Sequence, residues 1–566
     1  MFNLNNNKKS QSIDMLFNNM ILDKSKKPLF QVITNSWTTM MSSYTIKSEK
    51  IKDKVILITQ FYIDNNSKRQ KEILDTLKFN LNNIFFDKIL LFNERQYSFK
   101  ELDIINNKNK SKIRQINIGR RLKFNDIFQY IDENKLKGYI LIANSDIFFD
   151  NTLNNIFECG LTKNKKLFSQ LRFEYNNLKV NLFGPRGDSQ DAWIFHTNYN
   201  VEKIQQKLFN FELGIPGCDN HIIYLLKVLG YRVHNEPYLL KIYHNHSSEK
   251  RNYNNNSKRI QKPWIRLLPF LNNNYPGFNK YINNWWRFNF VEENNHLFSY
   301  IENKLKNNEK FIIVRINGGE SHFVELGAKI INNKKVTENE SKFLNANKNI
   351  IKEKEGLKID NINDLLEFTK LYLDSLNKCD CFFELEPGTL EYKNICNPHN
   401  LLIVNFSSKQ TYSLQILEIY NNIFNNPWTL ALKNKRLLII SSNVSIIANA
   451  TKYREHIYNI DLFPQCSFEF IQAPQTFDNN NSESYINELN KLIEKIIKVK
   501  DKFDIALLAC KGFDNIIAEK LYNMDKSAIC VGDLLYSYFG IYNKQLMETK
   551  GCILKLFMNN YWTLLR

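Results

Sequence analysis

Asn144 and Asp146, in YILIANSDIFFD (139–150), stand where an apolar run gives way to polar residues. An amide oxygen and a carboxylate two residues apart can face one hard divalent cation such as Mg²⁺ or Mn²⁺. That cation can bridge a diphosphate and neutralise charge on a departing nucleotide. Asn and Asp are also common turn formers, so the pair gains weight from the acidic and histidine-bearing segments downstream. GDSQDAWIFH (187–196) and GIPGCDNHIIYLLKVLGYRVHN (214–235) each set an aspartate, Asp191 and Asp219, just ahead of an apolar segment. KIYHNHSSEKRNY (241–253) then presents His244 and His246, and five of the nine histidines fall between 196 and 246. The two histidines are expected to diverge along a strand, so that one of them serves a metal or a phosphate.

A second constellation opens at KFIIVRINGGE (310–320). Arg315 offers a fork for phosphate oxygens and Glu320 an acceptor for a metal or a hydroxyl. Gly318 and Gly319 let the backbone approach a ligand closely. Further on, DIALLACKGFDNIIAEKLYNMDKSAICVGDLLYSYFGIY (504–542) repeats strand, loop, helix and strand, with Gly512 and Gly532 at strand ends.

The elements that must hold these residues read as alternating strands and helices. VILITQFY, KILLFNE, KIRQINIG and YILIANSDIFFD are strands, separated by helices over 67–83 and 124–138. Asn125 is expected to cap the second helix and Gly138 to end it. A second alternating series runs through LLIVNF (401–406), RLLIISSNV, FEFIQAP, FDIALLAC and KSAICVG, with a helix over 484–500. This predicts an α/β chain of two unlike Rossmann-like domains in tandem. The expected divisions are an N-terminal extension (1–50), a first domain (51–260), a connector (261–308) and a second domain (309–566).

Composition narrows the class. Of 566 residues, 43% are hydrophobic and 24% charged, which excludes wholesale disorder. The formal charge of +19 favours anionic partners, but no arginine-rich tract or zinc-finger spacing turns it into a nucleic-acid signal. Abundant Asn, Lys and Ile are read as AT-rich coding sequence. Nine cysteines without a CxxC pair suit free thiols in a reducing compartment. No signal-peptide pattern and no membrane span is predicted, so a cytoplasmic location is expected, in the host cytoplasm or virion for a viral chain.

With ANSDIFFD, SQDAW, PGCDN and a terminal HNHS in that order, residues 51–255 resemble a GT-A-type glycosyltransferase. The resemblance implies a nucleotide-sugar-binding sheet in which Thr59, Gln60 and Phe61 begin the nucleotide pocket. Asn144 and Asp146 would occupy the place of a DxD-like metal motif, with Asn in place of its first Asp. His244 or His246 would complete the coordination or touch the diphosphate. An inverting transfer needs a carboxylate to deprotonate the acceptor hydroxyl; Asp191 is the first choice and Asp219 the second. Arg120, Arg121 and Arg251 could pair with phosphate oxygens.

RINGGE and SAICVGDLLYSYFGIYNKQL give residues 309–550 a resemblance to GT-D-type glycosyltransferases. Asp533, Tyr536 and Gln545-Leu546 depart from that pattern on the presumed ligand loops. The second domain is therefore expected to be either a second transferase or a degenerate scaffold. Together the resemblances imply a glycosyltransferase, hexosyl or related, that uses Mn²⁺ or Mg²⁺ and a nucleotide sugar. Its acceptor would be a glycan or glycoprotein, and the second domain could make it bifunctional. Such tandem transferases suit the glycan machinery of a giant virus or a bacterium. A metal-dependent nucleotidyltransferase or nuclease, and a non-catalytic carbohydrate-binding protein, are the alternatives.

Overall fold

The computed structural model describes residues 53–565 apart from 177–178, 185, 249–258, 268, 270–289, 317, 360, 385–405, 407 and 475–482. The expected extension at 1–50, Arg251 and nearly all of the strand predicted at 401–406 lie outside the described residues. Two compact units emerge, one within 13–284 and one within 285–566.

In the first unit, an almost wholly apolar run makes Lys54–Thr59 (β1) a strand buried from Val55 onward, as a central parallel strand must be. Ser67–Asn82 (α1) comes after it, capped by the Asn66 side chain, which accepts from the Arg69 amide at 3.0 Å. Next come Lys88–Asn93 (β2), Ile113–Asn117 (β3), Phe124–Glu133 (α2) and Gly138–Ala143 (β4). The chain continues through Ile147–Phe149 (β5), Lys166–Leu171 (β6), Phe173–Asn176 (β7), Lys179–Leu182 (β8), Gln190–His196 (β9), Cys218–Val228 (α3), Arg232–His234 (β10) and Ile242–Asn245 (β11).

Seven of these strands form one sheet in the order β10-β6-β9-β4-β1-β2-β3. β9 runs antiparallel to both its neighbours and the other pairs are parallel. A smaller sheet, β5-β11-β7-β8, brings His244 opposite Ile147 on one side and Glu174 on the other. The step from β4 to β5, which contains Asp146, thus passes from the large sheet to the small one.

Two local expectations are corrected. Asn125 lies inside the first turn of α2, and it is Asp126 that caps, accepting from the Lys123 amide at 2.9 Å. Gly138 opens β4 instead of ending α2. Its φ is +126°, and a Cβ there would come within 2.0 Å of the Lys54 carbonyl oxygen.

The second unit begins at Phe290–Lys306 (α4), whose buried Glu293 accepts from the Ser413 amide at 3.1 Å. Described residues 259–267 instead bond to the first unit, where the amides of Ile260, Ile265 and Leu267 donate to Pro216, Asn220 and Gly187. The described residues of the expected connector thus bond within one unit or the other, and the division between the units falls inside it. The second unit continues through Ile312–Arg315 (β12), Gly318–Ile331 (α5), Glu338–Glu355 (α6), Ile362–Lys378 (α7), Cys381–Glu384 (β13), Gln410–Ser413 (β14), Arg436–Ser441 (β15), Ser467–Gln472 (β16), Tyr485–Ile497 (α8), Ile505–Ala509 (β17), Asp514–Asn523 (α9) and Ser527–Cys530 (β18). Its seven-stranded sheet has the order β14-β13-β12-β18-β17-β15-β16, and every pair is parallel. Connections from β12 run outward through β13 and β14, and later ones return on the other side. The β12/β18 boundary is thus a topological switch point, where crevices form at strand ends.

The chain is α/β, with two differently wound sheets in tandem. No helix among the described residues is long and apolar enough to cross a membrane. The cysteines among them are free thiols, mostly buried.

Candidate active site

At the carboxyl end of β4, Asp146 is buried and three nitrogens converge on one of its oxygens. Arg69 Nη2 lies 2.5 Å from Asp146 Oδ2, His244 Nε2 3.2 Å and His246 Nδ1 3.6 Å. The two histidines face the same site, contrary to the divergence expected of them. Side chains alternate along a strand with period two, so positions i and i+2 share a face. Burial pushes the Asp146 carboxyl up, but His244, His246 and Arg69 outweigh it and hold the group well below the usual carboxylate range. Burial likewise opposes protonation of His244, yet Asp146 and Glu174 raise it to about 9.

One atom from each of Asp146, His244 and His246 lies within 4.8 Å of the others. Ligand atoms about 2.1 Å from a shared ion stand about 3.0 Å apart at right angles and about 3.4 Å apart in a tetrahedron. The 3.2 and 3.6 Å separations match that spacing. His244 Nδ1 is taken by Glu174 Oε2 at 2.8 Å, which turns Nε2 toward Asp146. Carboxylate–histidine pairs of this kind orient metal ligands. The donor set therefore fits a divalent ion, and its two imidazoles favour first-row transition ions over Mg²⁺.

The hydrogen bonds then close into a ring. Glu174 Oε1 accepts from Arg172 Nε at 2.8 Å, and Arg172 Nη1 donates to Asp191 Oδ2 at 2.6 Å and to Ser189. Asp191 Oδ1 accepts from Asn144 Nδ2 at 2.8 Å, two residues before Asp146. Glu174→Ala is expected to weaken Mn²⁺ binding about 10–100-fold, as measured by calorimetric titration of the folded variant. An unchanged affinity would contradict a ligand-orienting role.

Asp191 is the second residue of β9 and Asp219 lies in the first turn of α3. Burial, then the Asp191 charge, pushes the Asp219 carboxyl up to about 7, against backbone amides of Asn220 and Gln190. Gly214, at φ +72°, lets the preceding loop pass close to Arg121 and Asn144, where a Cβ would stand 2.8 Å from Arg121 Nη2. Arg121 Nε donates to the Leu213 carbonyl, whereas Arg120 forms a two-pronged pair with Asp126 at 2.7 Å.

A cavity at these strand ends is lined by Thr59, Gln60, Phe61, Thr76, Asn144 and Ser145. The Thr59 and Thr76 hydroxyls are buried and lack hydrogen-bond partners. Gln60 bridges to the Arg120 carbonyl and the Leu122 amide, and the Phe61 amide donates to Asn93. Sequence reasoning misses Arg69, Thr76, Arg172 and Glu174. Arg69 does carry a signal, since a cation on the inward face of a helix beside Ile73 and Leu77 must find a buried partner.

In the second unit, Arg315 ends β12, Gly318 and Gly319 begin α5, and Glu320 is buried behind them. A Cβ on Gly319 would lie 3.3 Å from Glu355 Oε1. Arg315 Nη2 stands 3.9 Å from Asp514 Oδ2, and Arg315 Nε is buried without a partner. Burial and then the Glu355 charge push Glu320 well above the usual carboxylate range, and burial raises Asp514 to about 6 despite Arg315. Gly532, at φ +66°, underlies the guanidinium so closely that a Cβ would come within 2.1 Å of Nη1. Gly532→Ala is expected to displace Arg315 and to cost about 1–2 kcal/mol, read as a fall in melting temperature; an unchanged melting temperature would contradict that packing.

No family model and no curated protein sequence matches the chain. Among solved structures it is similar to a mannosyltransferase from Pyrobaculum calidifontis in complex with GDP-Man and Mn²⁺ (10% identity, TM-score 0.26, 39% of this chain and 65% of that one). It is similar to a DUF1792 glycosyltransferase from Streptococcus sanguinis (12% identity, TM-score 0.27, 43% of this chain and 82% of that one). A third is 4-diphosphocytidyl-2C-methyl-D-erythritol synthase (9% identity, TM-score 0.22, 36% of this chain and 95% of that one). The chain spans less than two thirds of the mannosyltransferase. At these identities and scores, function must be argued from the chain's own residues.

Proposed function

We propose that the first unit is a metal-assisted glycosyltransferase, moving a sugar from a nucleotide donor to a glycan or glycoprotein acceptor. The observation that carries this reading is the convergence of Asp146, His244 and His246 at the end of β4, beside a strand-end cavity. When bound there, a divalent ion such as Mn²⁺ would supply charge neutralisation for a pyrophosphate. Thr59, Gln60 and Phe61 would meet the nucleoside, with the unpartnered Thr59 hydroxyl available to it. Arg121 is the better placed of the two arginines for a phosphate oxygen, because Arg120 is already paired with Asp126.

Arg172 and Asn144 hold both oxygens of Asp191. That pairing supports Asp219 as the general base and Asp191 as the group that fixes Asn144. A base poised near the working pH is the one best suited to take a hydroxyl proton. For the second unit, the under-satisfied Arg315 and Asp514 at the β12/β18 switch point support a second anionic-ligand site, used for a second transfer or to hold the glycan.

The full-length chain incubated with a panel of nucleotide sugars and Mn²⁺ should release nucleoside diphosphate from one of them, and excess chelator should stop it. Release that is indifferent to chelator, or absent across the panel with glycan acceptors present, would overturn the proposal.

A further inference from the structure

We infer that Glu72 and Arg69, on the first two turns of α1, are positioning residues for the metal centre: Arg69 holds Asp146, and Glu72 holds the turn just after His246. The inference rests on the reading of Asp146, His244 and His246 as metal ligands, and adds what keeps them in place.

Both side chains are buried, each 5% exposed, and they pair at 3.2 Å one turn apart. A buried charge is costly unless its hydrogen-bonding capacity is filled. Glu72 fills it almost entirely with one distant turn. Its Oε1 accepts from the Ser247 amide at 2.7 Å, the Ser247 hydroxyl at 2.9 Å and the Ser248 amide at 2.6 Å. Its Oε2 accepts from the Ser248 hydroxyl at 2.8 Å, and its main-chain carbonyl from Asn245 Nδ2 at 3.1 Å.

The need for such an anchor comes from the strand. β11 ends at Asn245, so His246 lies just beyond the ladder. The amides of Ser247 and Ser248 are the next fixed points along the chain, and both end on Glu72. On the other side of the centre, Asn80 of α1 donates to the Ile147 carbonyl and accepts from the Phe149 amide, which fixes the strand leaving Asp146. α1 thus splints both segments that carry ligands, within the sub-ångström tolerance such a site demands.

The test compares the full-length parent with E72Q, H246A and E72Q/H246A. Mn²⁺ affinity is read by calorimetric titration, and the visible spectrum of the Co²⁺-loaded chain reports the ligand set. E72Q should weaken Mn²⁺ binding about 10–100-fold and shift the Co²⁺ bands toward those of H246A. In the H246A background it should add little, because it acts through that ligand. Parent-like affinity and spectrum in E72Q, or full additivity with H246A, would overturn the inference. Should E72Q not fold, E72D, which keeps the charge but draws the carboxylate back from the Ser247 and Ser248 amides, must also weaken Mn²⁺ binding; no change there overturns it equally. A parent that binds neither ion overturns the metal reading itself, and is told apart because all the chains then behave alike.

Discussion

Asp146→Ala is expected to abolish Mn²⁺ binding and to lower nucleotide-sugar turnover about 10²–10³-fold, the size of effect seen when a preorganised charge on the reacting centre is removed. The carboxylate is the common partner of Arg69, His244 and His246 in a buried site. Its removal leaves the Arg69 guanidinium buried without that partner, and breaking a buried pair costs about 3–5 kcal/mol. The variant should therefore melt earlier as well as turn over less. Asp146→Asn separates the two effects, since it keeps the volume and a hydrogen-bond acceptor but loses the charge that holds an ion. Turnover by a folded Asp146→Asn chain equal to that of the parent would remove Asp146 from the chemistry.

Asp219→Asn should lower kcat about 10²–10⁴-fold, the usual contribution of a general base, and should abolish the acid limb of the pH–rate profile. In the parent, activity should rise with pH through about 7, as burial and Asp191 set the Asp219 carboxyl there. Stability moves the opposite way. An unfolded aspartate loses its proton near pH 4, whereas the folded one keeps it to about 7. Between these values the folded chain binds the extra proton, so stability falls as pH rises across the window and is lowest above 7. The amide variant carries no such charge and should melt higher than the parent above pH 7. A variant with parental kcat and an intact acid limb would return the base role to Asp191 or to another group.

The strand-end residues are legible in the sequence because the apolar runs around them are. VILIT and YILIA read as buried strands, so Thr59, Asn144 and Asp146 can be put at strand carboxyl ends from pattern alone. The expected divergence of His244 and His246 fails because strand period two brings alternate residues together. Asn125 has the residue type of a cap, yet Asp126 takes that place because its carboxylate reaches the Lys123 amide while Phe124 already packs in the core.

What the sequence hides is long-range. Glu72 and Ser248 are 176 residues apart, and Arg172 joins Glu174 to Asp191 only because the end of β6, which leads into β7, pairs with the start of β9. In the second unit, the crowding of Gly532 against Arg315 arises from parallel neighbours separated by more than two hundred residues. No local pattern specifies such meetings. The division between the two units falls within the expected connector (261–308), and there too the partners are distant: buried Glu293 and Asn294 of α4 bond to residues far downstream.

The most direct measurement is anomalous scattering at the manganese edge from crystals of the full chain grown with Mn²⁺ and a nucleoside diphosphate. One peak within bonding distance of Asp146, His244 and His246, with the diphosphate on its open side, is the expected result. Nucleotide bound in the strand-end cavity with no manganese at those three side chains would contradict it.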